Sequence, residues 1–400
     1  MRILYCALDQ TVPGTKGGSV HVTAVAEGLA ARGHDVHVLA TPGGAFPAGA
    51  VHWIPMTPPF GRKELRWTRA AAVRTLARAI RPDVIIERYY NFGGEGMSAA
   101  AATGALAVLE VNAPVVDYPG SPKRLLDRLL LVEPMRRWRE RMCSQAHLIV
   151  TPNREILPAG TPASKIVELE WGADTDRFRP GAAGPVPFAR PADIVAVFAG
   201  AFRAWHGAIH LAHAIGELRS RGRNDIGAVF IGDGPEQPRV RQAAAGLHGV
   251  VFTGAVPHEQ MPASLAACDI GVAPFDLARH GPLALGFYWS PLKIFEYMAA
   301  GLPVVAPAIA RIPALVEHER EGLLYEHAPD MKVGPTAGRP RARPDAAPGA
   351  LAASLERLAD PDLRGRLGRE ARSRAVREYS WKAHCAALER GMIDALARRA

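Results

Sequence analysis

Short apolar runs rich in β-formers alternate with helical stretches, and the alternation occurs twice. "RILYCAL" opens the chain as a strand, followed by the Gly-rich loop "PGTKGG". "SVHVTAVAEGLAARG" then carries Val22, Val25, Ala26 and Leu29 on one helical stripe and stops at Gly33. "HDVHVLA", "RPDVIIERY" and "ALAVLEVN" read as further strands. A parallel neighbour needs a crossover long enough to hold a helix, so this pattern predicts a parallel sheet. "EWGADTDRFRPGAAGPVPFARPAD" interrupts it with a run of Gly and Pro that reads as an interdomain connection. The alternation then restarts through "DIVAVFAGAF", "GAIHLAHAIGELRSRG", "IGAVFIGDGPE", "GVVFTGAVP", "DIGVAPF" and "SPLKIFEYMAAGLPVVA". The expectation is two similar α/β domains, residues 1–180 and 181–375, with a low-complexity surface insertion at 330–349 and a helical tail at 376–400.

Size and charge bound the rest. A chain of 400 residues, 48% hydrophobic, can build more than one core. Its net charge of +9 suits nucleic acid, an anionic membrane surface or a phosphorylated ligand. Nucleic acid is the weakest of these, since the arginines are dispersed and no recognition module or aromatic platform accompanies them. Cys6, Cys143, Cys268 and Cys385 lie far apart and form no CxxC, which argues for a reducing compartment and against a zinc or disulfide framework. No signal-peptide pattern opens the chain and no apolar run approaches the roughly 20 residues of a membrane span, so a cytoplasmic location is expected. The stretch "SPKRLLDRLLLVEPMRRWRERMC" is basic and amphipathic; it reads as a packed helix with a solvated Arg face or as a surface that meets anionic lipid at the inner membrane face.

Open parallel sheets bind ligands at the carboxyl ends of their strands. In the second half that edge gathers Arg203 and His206 of "AGAFRAWHG", Gly232 and Gly234 of "GDGPE", and the start of the helix in "SPLKIFEY". Ser290 reads as its cap and Pro291 as its first residue. A helix start attracts anions through unpaired amides and the helix dipole, and Lys293 adds a full charge there. Glu296 shares the Lys293 face and suits a pair of ribose hydroxyls. Together these features suit a nucleoside diphosphate. In the first half, Gly17 and Gly18, beside Lys16, allow a tight strand-to-helix turn or close backbone approach to a ligand. Arg88 and Glu110 stand at strand ends, as site residues or as a structural ion pair.

With these motifs in order, the chain resembles the retaining glycosyltransferases of family four. The motifs that carry the likeness are "GTKGGSVHVTAVAEGLAARGHDVHVL", "LEVNAP", "WGADTDRFRP", "GAFRAWHG", "GDGPE", "SLAACDIGVAPF", "SPLKIFEYMAAGLPVVA" and "YSWKAH". The resemblance implies a GT-B fold: two facing Rossmann-like domains with parallel sheets and a C-terminal helix crossing back to the first. It implies transfer of a hexosyl group from a nucleotide sugar, UDP- or GDP-linked, to a glycan, lipid-linked or small-molecule acceptor, without a metal or other cofactor. Arg203, His206 and Lys293 would hold the diphosphate, with Ser290, Pro291 and Leu292 supplying helix-start contacts. Three positions depart from the family pattern. Ala201 stands where an Arg is usual, with Arg203 two places on, and His206 replaces a Lys. Tyr288 replaces a Glu that normally meets the donor sugar. Asn112 replaces a His on the acceptor side. A nucleotide-sugar epimerase and a non-catalytic nucleotide-sugar-binding subunit are the alternative readings.

Overall fold

In the computed structural model, residues 1–14, 16–114, 133–277, 287–326 and 346–399 are described. The expected insertion at 330–349 lies outside them except at its last residues, and most of the basic amphipathic stretch does too. The chain forms two compact units. The first comprises Met1–Trp171, Tyr288–Ser290 and Trp381–Ala400; the second comprises Gly172–Phe287 and Pro291–Ser380.

The first unit is built on strands β1 (Arg2–Val12), β2 (Asp35–Pro42), β3 (His52–Pro55), β4 (Val84–Arg88), β5 (Leu106–Glu110), β6 (Leu148–Thr151) and β7 (Ile166–Glu168). They pair in the order β3-β2-β1-β4-β5-β6-β7, every pairing parallel. All residues of β4 and β5 are buried, as expected for strands covered on both faces. Helix α1 (Gly17–Ala31) buries Val22, Val25, Ala26 and Leu29 and ends before Gly33, whose φ of +86° suits glycine. Helices α2 (Ala70–Ile80), α3 (Glu95–Thr103) and α4 (Glu133–Gln145) complete its crossovers. A side chain at Gly28 of α1 would strike Cys385 Sγ at 2.4 Å, which shows how closely the final helix of the chain packs on this unit.

The second unit repeats the plan. Its strands are β8 (Ile194–Ala199), β9 (Ile226–Ile231), β10 (Val250–Gly254), β11 (Ile270–Val272), β12 (Val304–Pro307) and β13 (Gly322–Tyr325). They run β10-β9-β8-β11-β12-β13, again parallel. The crossovers hold α5 (Ala208–Ser220), α6 (Gln237–Ala243), α7 (Met261–Ala266), α8 (Leu292–Ala299) and α9 (Ile312–Leu315), with α10 (Ala346–Arg357) and α11 (Pro361–Glu378) after the sheet. Phe198, Phe202 and Phe230 anchor the core beneath its first strands. The last helix, α12 (Trp381–Ala397), returns to the first unit. The Gly/Pro-rich connector is held in place by Arg372, which donates to the carbonyls of Thr175 (2.8 Å), Phe178 (2.7 Å) and Ala299 (2.7 Å). In each sheet the order reverses beside the first strand, at β1/β4 and at β8/β11, where open α/β sheets leave a crevice at their carboxyl edge.

Candidate functional site

At β8/β11 the crevice of the second unit is fixed by Tyr297. Its hydroxyl accepts from Ala199 N–H at 2.7 Å and faces the Val272 carbonyl at 3.5 Å, so α8 is tied to the ends of both strands. The loops above are stitched by backbone bonds from Phe202 N–H to Asp233 O (2.9 Å), Glu236 N–H to Phe202 O (3.0 Å) and Asp276 N–H to Trp205 O (3.0 Å). Such close approach needs glycine. A Cβ on Gly232, at φ +122°, would meet Gly200 O at 2.1 Å, and one on Gly207, at φ +67°, would meet Pro274 O at 1.7 Å. Gly234 likewise faces the Phe202 backbone. Gly232 and Gly234 therefore shape this edge.

Lys293 stands in the first turn of α8. Its stem is half-buried, but its Nζ is sealed and has no hydrogen-bond partner among the described residues. The ammonium lies over the Phe198 ring at 4.1 Å and the Phe275 ring at 5.4 Å, against Gly200. Burial pulls its pKa down to about 7, against the opposing pull of Glu296. The same burial pushes Glu296 up to about 7, with Lys293 opposing. Cation–π contact compensates a desolvated ammonium only in part. Among the described residues, then, a buried cation without an acceptor stands at a helix start that no side chain caps.

Arg203 is exposed on the loop after β8. His206 closes the following turn, with Nδ1 against the Ala201 carbonyl and its ring against Trp205. A carbonyl only accepts, so Nδ1 carries a proton. The neutral ring then offers Nε2 as an acceptor, and only the imidazolium donates to a phosphate. Ser290 corrects the sequence expectation. Among the described residues no side chain caps α8, whose N-cap position is Pro291, with Leu292 as first helical residue. The Ser290 hydroxyl instead donates to Glu170 Oε2 (2.7 Å) and accepts from Trp171 N–H (2.9 Å) within the first unit. The hydroxyl donates to a carboxylate and accepts from the Trp171 amide, which orients it away from the helix start. Tyr288 is half-buried and packs on the first unit's core.

In the first unit the carboxyl edge holds a buried polar network. Arg88 Nη1 donates to Glu110 Oε1 at 2.9 Å, and its Nε lies 3.4 Å from Asp9 Oδ2. Tyr5 also donates to Glu110, and so does the Asn112 amide, whose oxygen accepts from Trp171 Nε1 at 2.9 Å. Arg88 and Glu110 thus form a buried ion pair, and both ends of Asn112 are occupied. His21, which the sequence did not single out, completes the group. Its Nδ1 lies 3.3 Å from Glu110 Oε1, its ring 4.4 Å from that of Trp171, and its Nε2 has no hydrogen-bond partner among the described residues. Burial, then Arg88 and His384, hold its pKa well below the usual range, so the ring is neutral. Its position beside Val22 on the packed stripe of α1 was the one available signal. Asp9 continues the network to Arg66, which also bonds Glu95 at 2.6 Å. Lys16 is exposed at the start of α1, where Gly17 is the first residue and Gly18 adjoins the end of Gln10.

Two parallel sheets, each reversing order beside its first strand, are the plan of the GT-B glycosyltransferases, and solved structures similar to this chain share it. Residues 15–177 match the model of Glycosyltransferase Family 4, and residues 193–332 match that of Glycosyl transferases group 1. The chain belongs to these glycosyltransferases. Over 177 residues it is 34% identical to the 2-deoxystreptamine N-acetyl-D-glucosaminyltransferase of Streptomyces fradiae, covering 42% of this chain and 37% of that protein. Over 172 residues it is 28% identical to the GDP-mannose-dependent alpha-(1-6)-phosphatidylinositol monomannoside mannosyltransferase of Mycobacterium tuberculosis, covering 41% of this chain and 44% of that one. The match thus spans about two fifths of the length of these curated relatives. Among solved structures, the sucrose-phosphate synthase of Thermosynechococcus elongatus superposes with a TM-score of 0.70 at 18% identity, covering 99% of both chains. Anabaena HepE in complex with UDP and glucose gives 0.64 at 18% identity, covering 98% of this chain and all of that one.

Proposed function

We propose that the protein transfers a hexosyl group from a UDP- or GDP-linked sugar to an acceptor, with retention of configuration and without a metal ion or other cofactor. The observation that carries the reading is the sealed Lys293 ammonium at the start of α8, which has no hydrogen-bond partner among the described residues. A diphosphate there gains a desolvated charge and free helix amides, both aimed where charge develops as the nucleotide leaves. Arg203 and protonated His206 add donors from the β8 loop, and Glu296 accepts from the ribose hydroxyls. Similarity to HepE, solved with UDP and glucose, supports the donor class. The test is calorimetric titration of UDP and GDP into wild type, Lys293→Ala and Glu296→Ala. Loss of affinity in both variants is expected, and unchanged affinity in both refutes the site. Product anomers read by NMR test retention. Isomerised donor in the absence of acceptor would favour an epimerase, and donor binding without turnover a non-catalytic subunit.

For the acceptor, a specific observation favours a lipid-borne molecule. Phe60 is 92% exposed at φ +55°, in a segment that also presents Trp67, 55% exposed, with Arg62 and Lys63. Exposed aromatics among cations suit an anionic membrane surface. The mannosyltransferase relative acts on a phosphatidylinositol mannoside, which supports this choice, whereas the Streptomyces relative acts on a small aminocyclitol. None of the described helices is long and apolar enough to cross a membrane. Peripheral docking at the inner face is therefore the proposed location. Flotation with anionic vesicles should depend on Phe60 and fail in Phe60→Glu; equal flotation, or none in wild type, removes the membrane from the account.

A further inference from the structure

A second constellation lies at the opposite edge of the first sheet, where β2 and β3 begin. β2 reads Asp35-Val36-His37, and β3 begins at His52. Alternate residues of a strand share a face, so Asp35 and His37 point the same way. His37 and His52 are register partners across the parallel pair, which places His52 on that face too. Their imidazoles stack at 4.7 Å between centroids. Both turn Nε2 toward one oxygen: Asp35 Oδ1 lies 3.0 Å from His37 Nε2 and 3.5 Å from His52 Nε2. The three donor atoms all fall within 4.8 Å of one another.

We propose that Asp35, His37 and His52 form a binding site for a borderline divalent transition-metal ion such as Zn²⁺, Co²⁺ or Ni²⁺. Bonds of about 2.0–2.2 Å in a tetrahedral shell separate neighbouring ligand atoms by roughly 3.3 Å, so the two donor separations need little adjustment. Two imidazoles and one carboxylate favour these ions over Mg²⁺ or Ca²⁺, which prefer oxygen-only shells. The outer shell is in place as well. Arg2 Nε donates to Asp35 Oδ2 at 2.9 Å, which holds the carboxylate so that Oδ1 faces the imidazoles. His52 is largely exposed, so the remaining coordination position opens to solvent. The ion would join β2 to β3, the four-residue edge strand of the sheet. This is a clasp on the sheet edge, separate from the transfer chemistry at the carboxyl edge.

The test uses tag-free, chelator-treated protein titrated with Co²⁺ and followed by its visible absorption, with Zn²⁺ and Mg²⁺ as competitors. One equivalent binding at micromolar concentration, displaced by Zn²⁺ and not by Mg²⁺, is expected. His52→Ala is a surface change that leaves the fold intact, and removing one of three donors should weaken binding at least tenfold. Hydrogen exchange should show β3 slowed by Zn²⁺ in wild type and not in the variant. Binding only at millimolar concentration overturns the proposal. So does equal affinity in His52→Ala, which would put the ion on other members of the chain's 14 histidines.

Discussion

Replacing Lys293 with Met should make the ligand-free protein more stable and the nucleotide complex weaker. The ammonium is sealed against Phe198 and Phe275 with no acceptor among the described residues, and burial lowers its pKa from 10.5 to about 7. At about 1.4 kcal/mol per pH unit, that difference bounds the penalty of keeping Lys293 charged at pH 6 at ~5 kcal/mol. Solvent reaches the half-buried stem, and Glu296 loses its charge partner in the variant, so a net gain of about 1–3 kcal/mol is expected. The sign follows from linkage. The folded-state value lies below the unfolded one, so the penalty is complete below pH 7 and fades as pH rises toward 10.5. Met keeps the length and the contacts with the two rings while removing the charge. Urea unfolding at pH 6, 7.5 and 9 should show Lys293→Met ahead of wild type at pH 6, with the gap shrinking at each step. Titration with UDP or GDP should show the reverse order, a loss of about 50-fold or more, because a desolvated cation facing a phosphate contributes more than 2 kcal/mol. A variant that is less stable at pH 6, or that binds nucleotide as wild type does, would refute the reasoning.

Other consequences can be checked with similar assays. Nucleotide affinity should peak near pH 7, weakening above it as Lys293 loses its proton and below it as Glu296 gains one; Glu296→Gln should flatten the acid limb in calorimetry across pH. Arg66 is fully buried and holds Asp9 and Glu95, so Arg66→Met should cost about 3–5 kcal/mol in urea unfolding, since it leaves the buried Glu95 carboxylate without its cation and takes one of two from Asp9. Burial, then Glu95, pushes Glu87 up to about 8, so the wild type should lose stability as pH rises from about 4.5 to 8, a slope that Glu87→Gln removes. Gly207→Ala forces a Cβ into the Pro274 carbonyl at a positive φ and should lower both thermal stability and UDP or GDP affinity.

The sequence made legible whatever rests on long apolar runs. β1, β4 and β5 of the first unit stand out because their buried runs read as continuous hydrophobic segments, and β2 because its apolar residues alternate with polar ones. β3 and β7 did not, because they are edge strands of four and three residues with half-exposed side chains. The glycines of the second crevice were visible as a motif, but their reason, backbone pressed against Gly200 and Pro274, exists only in three dimensions. Lys293 was legible for the same reason it is informative: a cation at a helix start runs against the local preference. Ser290 was misread because its partner, Glu170, lies 120 positions away. His21, Arg88, Glu110 and Asn112 likewise meet through tertiary contacts that no local spacing encodes.

The central claim is that the carboxyl edge of the second unit holds the donor diphosphate. A crystal structure with UDP or GDP bound tests it most directly. Phosphate oxygens are expected within about 3 Å of Lys293 Nζ and of the first amides of α8, with the ribose hydroxyls on Glu296. A nucleotide bound elsewhere, with the Lys293 ammonium still sealed against Phe198, would contradict it.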